Sequence, residues 1–256
     1  MKILCIGDIV SYEGTEYLSQ KLPRLRRQYG ADIVIVNGEN SALGNGIDKT
    51  SFDFIMDAGA DIVTGGNHSF QKKTALTLHE EEKRLICPAN VPEFASDGEI
   101  ILDMGKTILR VINLSGSLFM KECENPFEYM QKALEKHKNA ITIVDFHAEA
   151  SGEKCAMGLM LDGKVSLVYG THTHVQTNDA QILPNGTGYI TDIGMTGVKH
   201  SVIGKDKDVC VHNFLYPEDR KQIKDAKGEC ILCGIYAEID DNTKKCVDIK
   251  LINIDN

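Results

Sequence analysis

The 256-residue chain contains no tryptophan and only six prolines, and aromatic residues make up 6% of it. With 23 glycines and no short period it is neither collagen-like nor low-complexity. No apolar run approaches the ~20 residues of a membrane-spanning helix. Met1-Lys2-Ile3-Leu4-Cys5-Ile6 meets Gly7-Asp8 where a signal peptide would continue its apolar region. A soluble, cytoplasmic protein without membrane contact is expected. An excess of positive charge is also lacking: 28 Lys and Arg stand against 37 Asp and Glu, a net charge of −9. That balance disfavours a protein that binds duplex nucleic acid by covering phosphates with cations. An anionic substrate must instead meet positive charge concentrated at one place. The eight cysteines are scattered rather than arranged as a disulfide framework, so reduced thiols are expected.

What is present is a globular composition, 42% hydrophobic, with enough length to bury a sizeable core. Short β-branched runs alternate with helical patterns, which indicates an α/β layered fold. Ile3 to Ile6, Ile33 to Val36, Ile62 to Thr64, Ile141 to Val144 and Val165 to Tyr169 read as buried strands. Helical periodicity covers Tyr17 to Tyr29, where Pro23 predicts a kink or a start, and Ser51 to Ala58, Lys72 to Lys83 and Pro126 to Lys138. Near the C-terminus, Cys230 to Ile239 and Lys245 to Ile252 read as two strands joined by a tight polar turn. No repeat and no long linker divides the chain, so one domain over residues 1–256 is expected.

The five buried runs end alike: apolar strand, then a small or polar residue, then a side chain able to bind a metal. They read Ile6-Gly7-Asp8, Val36-Asn37-Gly38-Glu39-Asn40, Thr64-Gly65-Gly66-Asn67-His68, Val144-Asp145-Phe146-His147 and Tyr169-Gly170-Thr171-His172-Thr173-His174. Ligands of open α/β sheets sit outside the carboxyl ends of strands, so these five ends can converge on one crevice. Taken singly, each has an ordinary reading. Asp8, Asn40 and Asn67 are turn or cap types, and His147 can be a satisfied core histidine. His172 and His174, two apart in an extended segment, would point to one side and address one centre. Together the set holds carboxylate, amide oxygen and imidazole without lysine, arginine or cysteine. That mixture suits borderline ions such as iron, manganese or zinc. Seven ligands suit two ions better than one. Ions about 3.5–4 Å apart activate water and clamp the oxygens of an in-line displacement at phosphorus, which points to phosphoester hydrolysis.

Other motifs carry less. Gly44-Asn45-Gly46-Ile47-Asp48-Lys49-Thr50 lacks the Gly-Lys-Ser/Thr ending of a phosphate loop. Cys230-Ile231-Leu232-Cys233, even with Cys210 and His212, lies in a strand pattern without the turn of a zinc knuckle, and buried thiols are the better reading. His79 and His137 read as solvated helix or loop positions.

In order along the chain, Gly7-Asp8, Asn37-Gly38-Glu39-Asn40, Gly66-Asn67-His68, His147 and Gly170-Thr171-His172-Thr173-His174 resemble the signature blocks of calcineurin-like metallophosphoesterases. Val144 to Ala150, Gly170 to Thr177 and Thr191-Asp192-Ile193-Gly194-Met195-Thr196-Gly197 resemble the bacterial YmdB-type phosphodiesterase branch, and the similarity spans essentially the whole chain. The resemblance implies a two-sheet β-sandwich flanked by helices, a four-layer α/β/β/α arrangement with a dinuclear centre at the strand ends. It makes Asp8, Glu39, Asn40 and His174 ligands of one metal, and Glu39, Asn67, His147 and His172 ligands of the other, with Glu39 bridging. It gives His68 the catalytic role of contacting the phosphate and protonating the leaving oxygen. The implied activity is a phosphodiesterase acting on 2′,3′- and 3′,5′-cyclic nucleotides with iron or manganese, in a homo-oligomer. A phosphomonoesterase on the same site, or a non-catalytic regulator binding metal and nucleotide, are the alternatives. The chain differs from many members of the branch at Ser11-Tyr12-Glu13-Gly14-Thr15, Ser69-Phe70-Gln71 and Val198-Lys199-His200, in loops that would shape the pocket admitting the base.

Overall fold

The computed structural model describes residues 1–92 and 98–255. The chain opens with β1 (Lys2–Ile6), β2 (Asp8–Ile9), α1 (Ser11–Tyr29), β3 (Ile33–Asn37), α2 (Lys49–Asp57), β4 (Ile62–Thr64), α3 (Ala75–Glu81) and β5 (Leu85–Ile86). It continues through β6 (Glu99–Asp103), β7 (Ile108–Ser115), α4 (Pro126–Ala133), β8 (Ile141–His147), α5 (Ser151–Leu161) and β9 (Leu167–Thr171). It closes with β10 (Gln181–Ile182), β11 (Gly188–Ile190), β12 (Met195–Val198), α6 (Lys207–Leu215), β13 (Cys230–Ile239) and β14 (Cys246–Asp255).

Two sheets form. One has the order β2-β12-β13-β1-β3-β4-β5 with β14 along the free side of β13; the other runs β10-β11-β9-β8-β7-β6. The strands β1, β3, β4 and β5 are parallel in the first sheet, and β7, β8, β9 and β11 in the second. The period-two alternation of each strand sorts its side chains between layers. Ile3 and Cys5 of β1, Ile33 and Ile35 of β3, and Ile141 and Ile143 of β8 form the core between the sheets. Their neighbours Leu4, Ile6, Val34 and Val36 face outward against Leu18, Leu22 and Leu25 of α1 and Phe52 and Ile55 of α2. On the far side, Val144 and Phe146 of β8 pack on Met130 of α4 and Met157 and Leu161 of α5. Three cores therefore lie between four layers, the expected α/β/β/α sandwich. Each fully buried aliphatic side chain contributes roughly 1.5–3 kcal/mol.

The five expected strands form, as does the C-terminal pair. Helix boundaries differ more. Helix α1 begins at Ser11, six residues before the apolar periodicity, and continues through Pro23 to a left-handed Gly30. Asp48 caps α2 through Ser51, and Asn125 caps α4 with Pro126 in its first turn. The periodicity over Lys72 to Lys83 yields only Ala75–Glu81. Cys230 and Cys233 both lie on β13, and their odd spacing sends the two side chains to opposite faces. Among the described residues no helix is long and apolar enough to cross a membrane.

His79 is not solvated as its polar neighbours imply. It is 8% exposed, with its ring stacked 4.6 Å from that of Phe70, because α3 turns this face inward. Burial lowers its pKa to about 4. The unfolded chain therefore binds a proton at His79 that the folded chain refuses between about pH 6.5 and 4, and stability falls as pH drops through that window. By pH 5 the loss reaches roughly 1–2 kcal/mol. Urea unfolding of His79→Leu should show a smaller drop in midpoint between pH 7 and pH 5 than the parent; equal drops would remove His79 as a source of acid sensitivity.

Candidate metal centre

The carboxyl ends of β1, β3, β4, β8 and β9 all open on one edge of the sandwich, and each delivers part of the site. Asp8 follows β1, Glu39 and Asn40 follow β3, and Asn67 and His68 follow β4. His147 is the last residue of β8, and His172 and His174 follow β9. Every residue named from the sequence thus reaches the same edge. Glu39, Asn40, His68, His172 and His174 line a cleft of about 260 Å³ at this edge.

The tightest cluster surrounds His147 Nε2, which lies 2.9 Å from Asn67 Oδ1, 3.2 Å from Glu39 Oε1 and 3.1 Å from His172 Nδ1. Glu39, His147 and His172 together present atoms spaced for a single ion. The backbone explains how such crowding is possible. A Cβ on Gly66 would lie 2.2 Å from Glu39 Oε2 and 2.3 Å from His147 Nε2, so only glycine leaves space for these two side chains. The second group is looser. His174 Nε2 stands 3.7 Å from Asp8 Oδ1 and 3.3 Å from Asn40 Nδ2, and Asn40 Nδ2 donates to Glu39 Oε1 at 2.9 Å. Glu39 contacts both groups.

The histidine pair departs from the extended geometry read from the sequence. Strand β9 ends at Thr171, and His172 and His174 have φ of 95° and 64°. A bend in this left-handed region sends the two rings to two neighbouring positions rather than to one. Such backbone costs about 1–3 kcal/mol per non-glycine residue and persists where surrounding contacts enforce it. Asp192 enforces it here: its Oδ2 accepts from Thr173 N–H at 3.2 Å, Thr173 Oγ1 at 2.8 Å and the buried Lys154 Nζ at 2.7 Å.

Ring orientation is set by a further shell of residues. Thr171 Oγ1 donates to Asp145 Oδ1 at 2.7 Å, so at 2.9 Å from His147 Nδ1 it can only accept. His147 therefore carries its proton on Nδ1 and aims Nε2 at the cluster. His172 Nε2 pairs with Glu149 Oε2 at 3.1 Å, which leaves Nδ1 facing inward. His174 Nδ1 meets the Ile203 carbonyl at 2.9 Å, which likewise frees Nε2. Asp145, Thr171, Glu149, Asp192 and Lys205, a cation on the cleft wall, were not identified as site residues from the sequence. The only sequence signal for Asp145 is a carboxylate placed in phase with Ile141, Ile143 and His147 on the inner face of β8.

Lone pairs of an amide oxygen, a carboxylate and two imidazoles converging within about 3 Å repel one another unless positive charge lies between them. With protons as the only cations, burial lowers the pKa of His147, but Glu39 and Asp8 outweigh it and hold it at about 9. Burial pulls the other way on Glu39, yet His147 and His68 keep it at about 2. Burial, then the His147 charge, push His172 down to about 3. Asp8, fully buried, is raised by desolvation, and its Oδ1 has no hydrogen-bond partner. A buried carboxylate oxygen left without a hydrogen-bond partner, 3.7 Å from the free Nε2 of His174, fits a cation better than a proton network.

Fold and site together put the chain among the metallophosphoesterase-type phosphoric ester hydrolases. Within that class the chain belongs to the YmdB-like protein family, matched over residues 4–252. It is 38% identical to the 2′,3′-cyclic-nucleotide 2′-phosphodiesterase of Bacillus subtilis (strain 168), over 100% of this chain and 98% of that one. Among solved structures it superposes on a phosphatase from Mycoplasma pneumoniae with a TM-score of 0.94 at 34% identity, covering 100% of this chain and 93% of the other. A protein from Thermus thermophilus gives 0.93 at 35% identity, with 100% and 99% covered.

The hydrogen-bond chain below His147 has a measurable consequence. Thr171→Val removes the acceptor that fixes its tautomer and should weaken metal binding about 10–100-fold, whereas Thr171→Ser should retain it. Metal titration of both purified variants reads this out; equal affinities would remove the orienting role of Thr171. Gly66→Ala, whose methyl group would stand on two ligand atoms, should lose bound metal by elemental analysis.

Proposed function

We propose that this chain is a phosphodiesterase that hydrolyses small cyclic nucleotides, 2′,3′- and 3′,5′-cyclic monophosphates, using two metal ions, iron or manganese, with zinc the third option. The observation that carries the reading is the convergence of Glu39, Asn67, His147 and His172 on one point, with Asp8, Asn40 and His174 beside it and His68 on the cleft wall above. The name of the Bacillus subtilis relative supports the 2′,3′-cyclic part of that substrate class.

Asp8, Glu39, Asn40 and His174 would hold one ion, and Glu39, Asn67, His147 and His172 the other. A half-turn of the Asn40 amide exchanges its nitrogen for its oxygen beside His174 Nε2. Bound there, the ions supply an activated water and offset negative charge on the phosphoryl oxygens. The chain's own groups do the rest. Glu39 Oε2 accepts from the His68 backbone N–H at 2.9 Å, which fixes the His68 backbone against the ligand shell. Burial holds the His68 pKa below the ordinary imidazole range, and the approach of an anionic phosphoryl group raises it again. His68 then donates its proton to the departing ribose oxygen as the ester P–O bond breaks and the oxygen of water bonds to phosphorus. The product is a nucleoside monophosphate.

A compact anion suits the cleft better than duplex nucleic acid, because the chain's net charge of −9 gives a long phosphate backbone little to bind. His68→Asn should lower kcat on a cyclic nucleotide about 10²–10⁴-fold with metal content unchanged. Steady-state assays on 2′,3′-cyclic nucleotide, 3′,5′-cyclic nucleotide, nucleoside monophosphate and duplex DNA, on one metal-analysed sample, test the whole reading. Faster hydrolysis of the monoester or the duplex would overturn it.

A further inference from the structure

Residues 202–205 form a two-residue hairpin turn. Val202 N–H donates to Lys205 O at 2.9 Å and Lys205 N–H to Val202 O at 3.0 Å, with Ile203 and Gly204 at φ of 49° and 93°. Positive φ at both central positions is the territory of Asn, Asp and Gly. Gly204 meets that demand, and a Cβ there would lie 2.3 Å from Val10 Cγ1. Ile203 does not meet it: a β-branched residue in this region is an outlier. The strain is not compensated by burial, because the Ile203 side chain is 48% exposed. Backbone strain without a packing return marks a position held for function.

Ile203 stands between two cavities. One is the metal cleft, whose ligand His174 is anchored on the Ile203 carbonyl. The other is a groove of about 390 Å³ beside α6, walled by Ile203, Phe214 and Ile223 and rimmed by Lys205, Arg220 and Lys221. Ile203 and Lys205 belong to both walls. No carboxylate lines the groove itself, and with Lys205 paired to Asp225 its unneutralised cations are Arg220 and Lys221. Lys205 Nζ is fixed at the junction by Asp225 Oδ1 at 2.6 Å and Asn45 Oδ1 at 2.5 Å. Phe214 presents its ring 82% exposed.

We propose that this groove is the base subsite of the enzyme: the nucleobase of a nucleoside phosphodiester seats between Ile203 and Phe214 while its phosphate lies in the metal cleft. The chemistry matches a nucleotide, with apolar walls and an aromatic ring for a flat base and cations flanking the path of the anionic group. The groove is also of a size that small-molecule sites occupy. The inference rests on the phosphodiesterase reading above and names which part of the substrate the chain recognises outside the metals.

The test compares the parent, Phe214→Ala and Ile203→Asn on a 2′,3′-cyclic nucleotide and on glycerol 1,2-cyclic phosphate, which has no base. Calorimetric binding of adenosine 3′-monophosphate and sedimentation of each protein accompany the kinetics. Loss of a base-stacking ring weakens binding about 10–100-fold. Phe214→Ala should raise KM for the cyclic nucleotide by that factor, leave kcat within about twofold, and leave the base-free diester unaffected. Ile203→Asn should also raise KM for the cyclic nucleotide without loss of thermal stability, since Asn accepts the left-handed turn; the base-free control is read on Phe214→Ala. Equal effects on both diesters, or none on either, would overturn the subsite. So would an altered sedimentation coefficient with unaltered kinetics, which would make the groove a contact between copies of the chain. If the parent hydrolyses no cyclic nucleotide, the calorimetry decides. Weaker monophosphate binding by Phe214→Ala keeps the subsite and fails the phosphodiesterase reading, and unchanged binding fails both.

Discussion

The structure depends on an electrostatic conflict. His147 Nε2, Asn67 Oδ1, Glu39 Oε1 and His172 Nδ1 are packed at distances where their lone pairs repel, in a place from which most water is excluded. In bulk solvent four such groups would separate. Here they are held by four strands, β3, β4, β8 and β9, each anchored over its length by hydrophobic burial and ladder hydrogen bonds, so the folding energy of the sandwich maintains the arrangement. A cation resolves the conflict, and the site's affinity for positive charge originates there.

The two-sheet architecture makes this possible. Asp8, Glu39 and Asn67 come from the ends of strands in one sheet, and His147 and His172 from the other, so the candidate metal-binding set straddles the layer between sheets. That layer is otherwise apolar: Ile3, Cys5, Ile35, Ile143 and Tyr169 fill it. Asp145 lies at its upper end, fully buried, and desolvation raises its pKa to about 6 even though Thr64 and Thr171 donate to it. A carboxylate in that position is costly as a core residue and useful as the base of a hydrogen-bond chain that ends at His147. The buried Lys154–Asp192 pair plays the corresponding part for the bend that carries His172 and His174. Both are networks in which each polar group is satisfied by another, so they rigidify the loops above them.

The metal-type ligands were legible because ligand chemistry is written in residue type and because strand ends announce themselves. An apolar β-branched run followed by glycine and then Asp, Asn, Glu or His is a local pattern, and it recurs along the chain. Strand positions were equally legible, since the short β-branched runs of β1, β3 and β8 are buried on both faces. Helices were less so. Helix α5 carries Gly152 and Gly158 and α6 exposes Val211, Phe214 and Leu215, so neither shows a clean apolar stripe against a polar face. Short strands such as β10 and β12 exist because they pair with β11 and β13, and nothing within two to four residues reports a partner distant in the chain. His79 misled for the same reason: its neighbours in sequence are charged, while its neighbours in space are not.

By itself the sequence determined which residues could coordinate a metal and that they follow strands, because residue chemistry and local periodicity are properties of the chain alone. Only the tertiary structure decided that the segment carrying His172 and His174 is bent rather than extended, that Thr171 and Asp145 orient His147, and that a strained Ile203 divides a polar cleft from an apolar groove. Those facts depend on distances between segments far apart in the chain, such as Asp8 and His172, 164 residues from one another. Such distances are fixed by packing between layers, which no local pattern encodes.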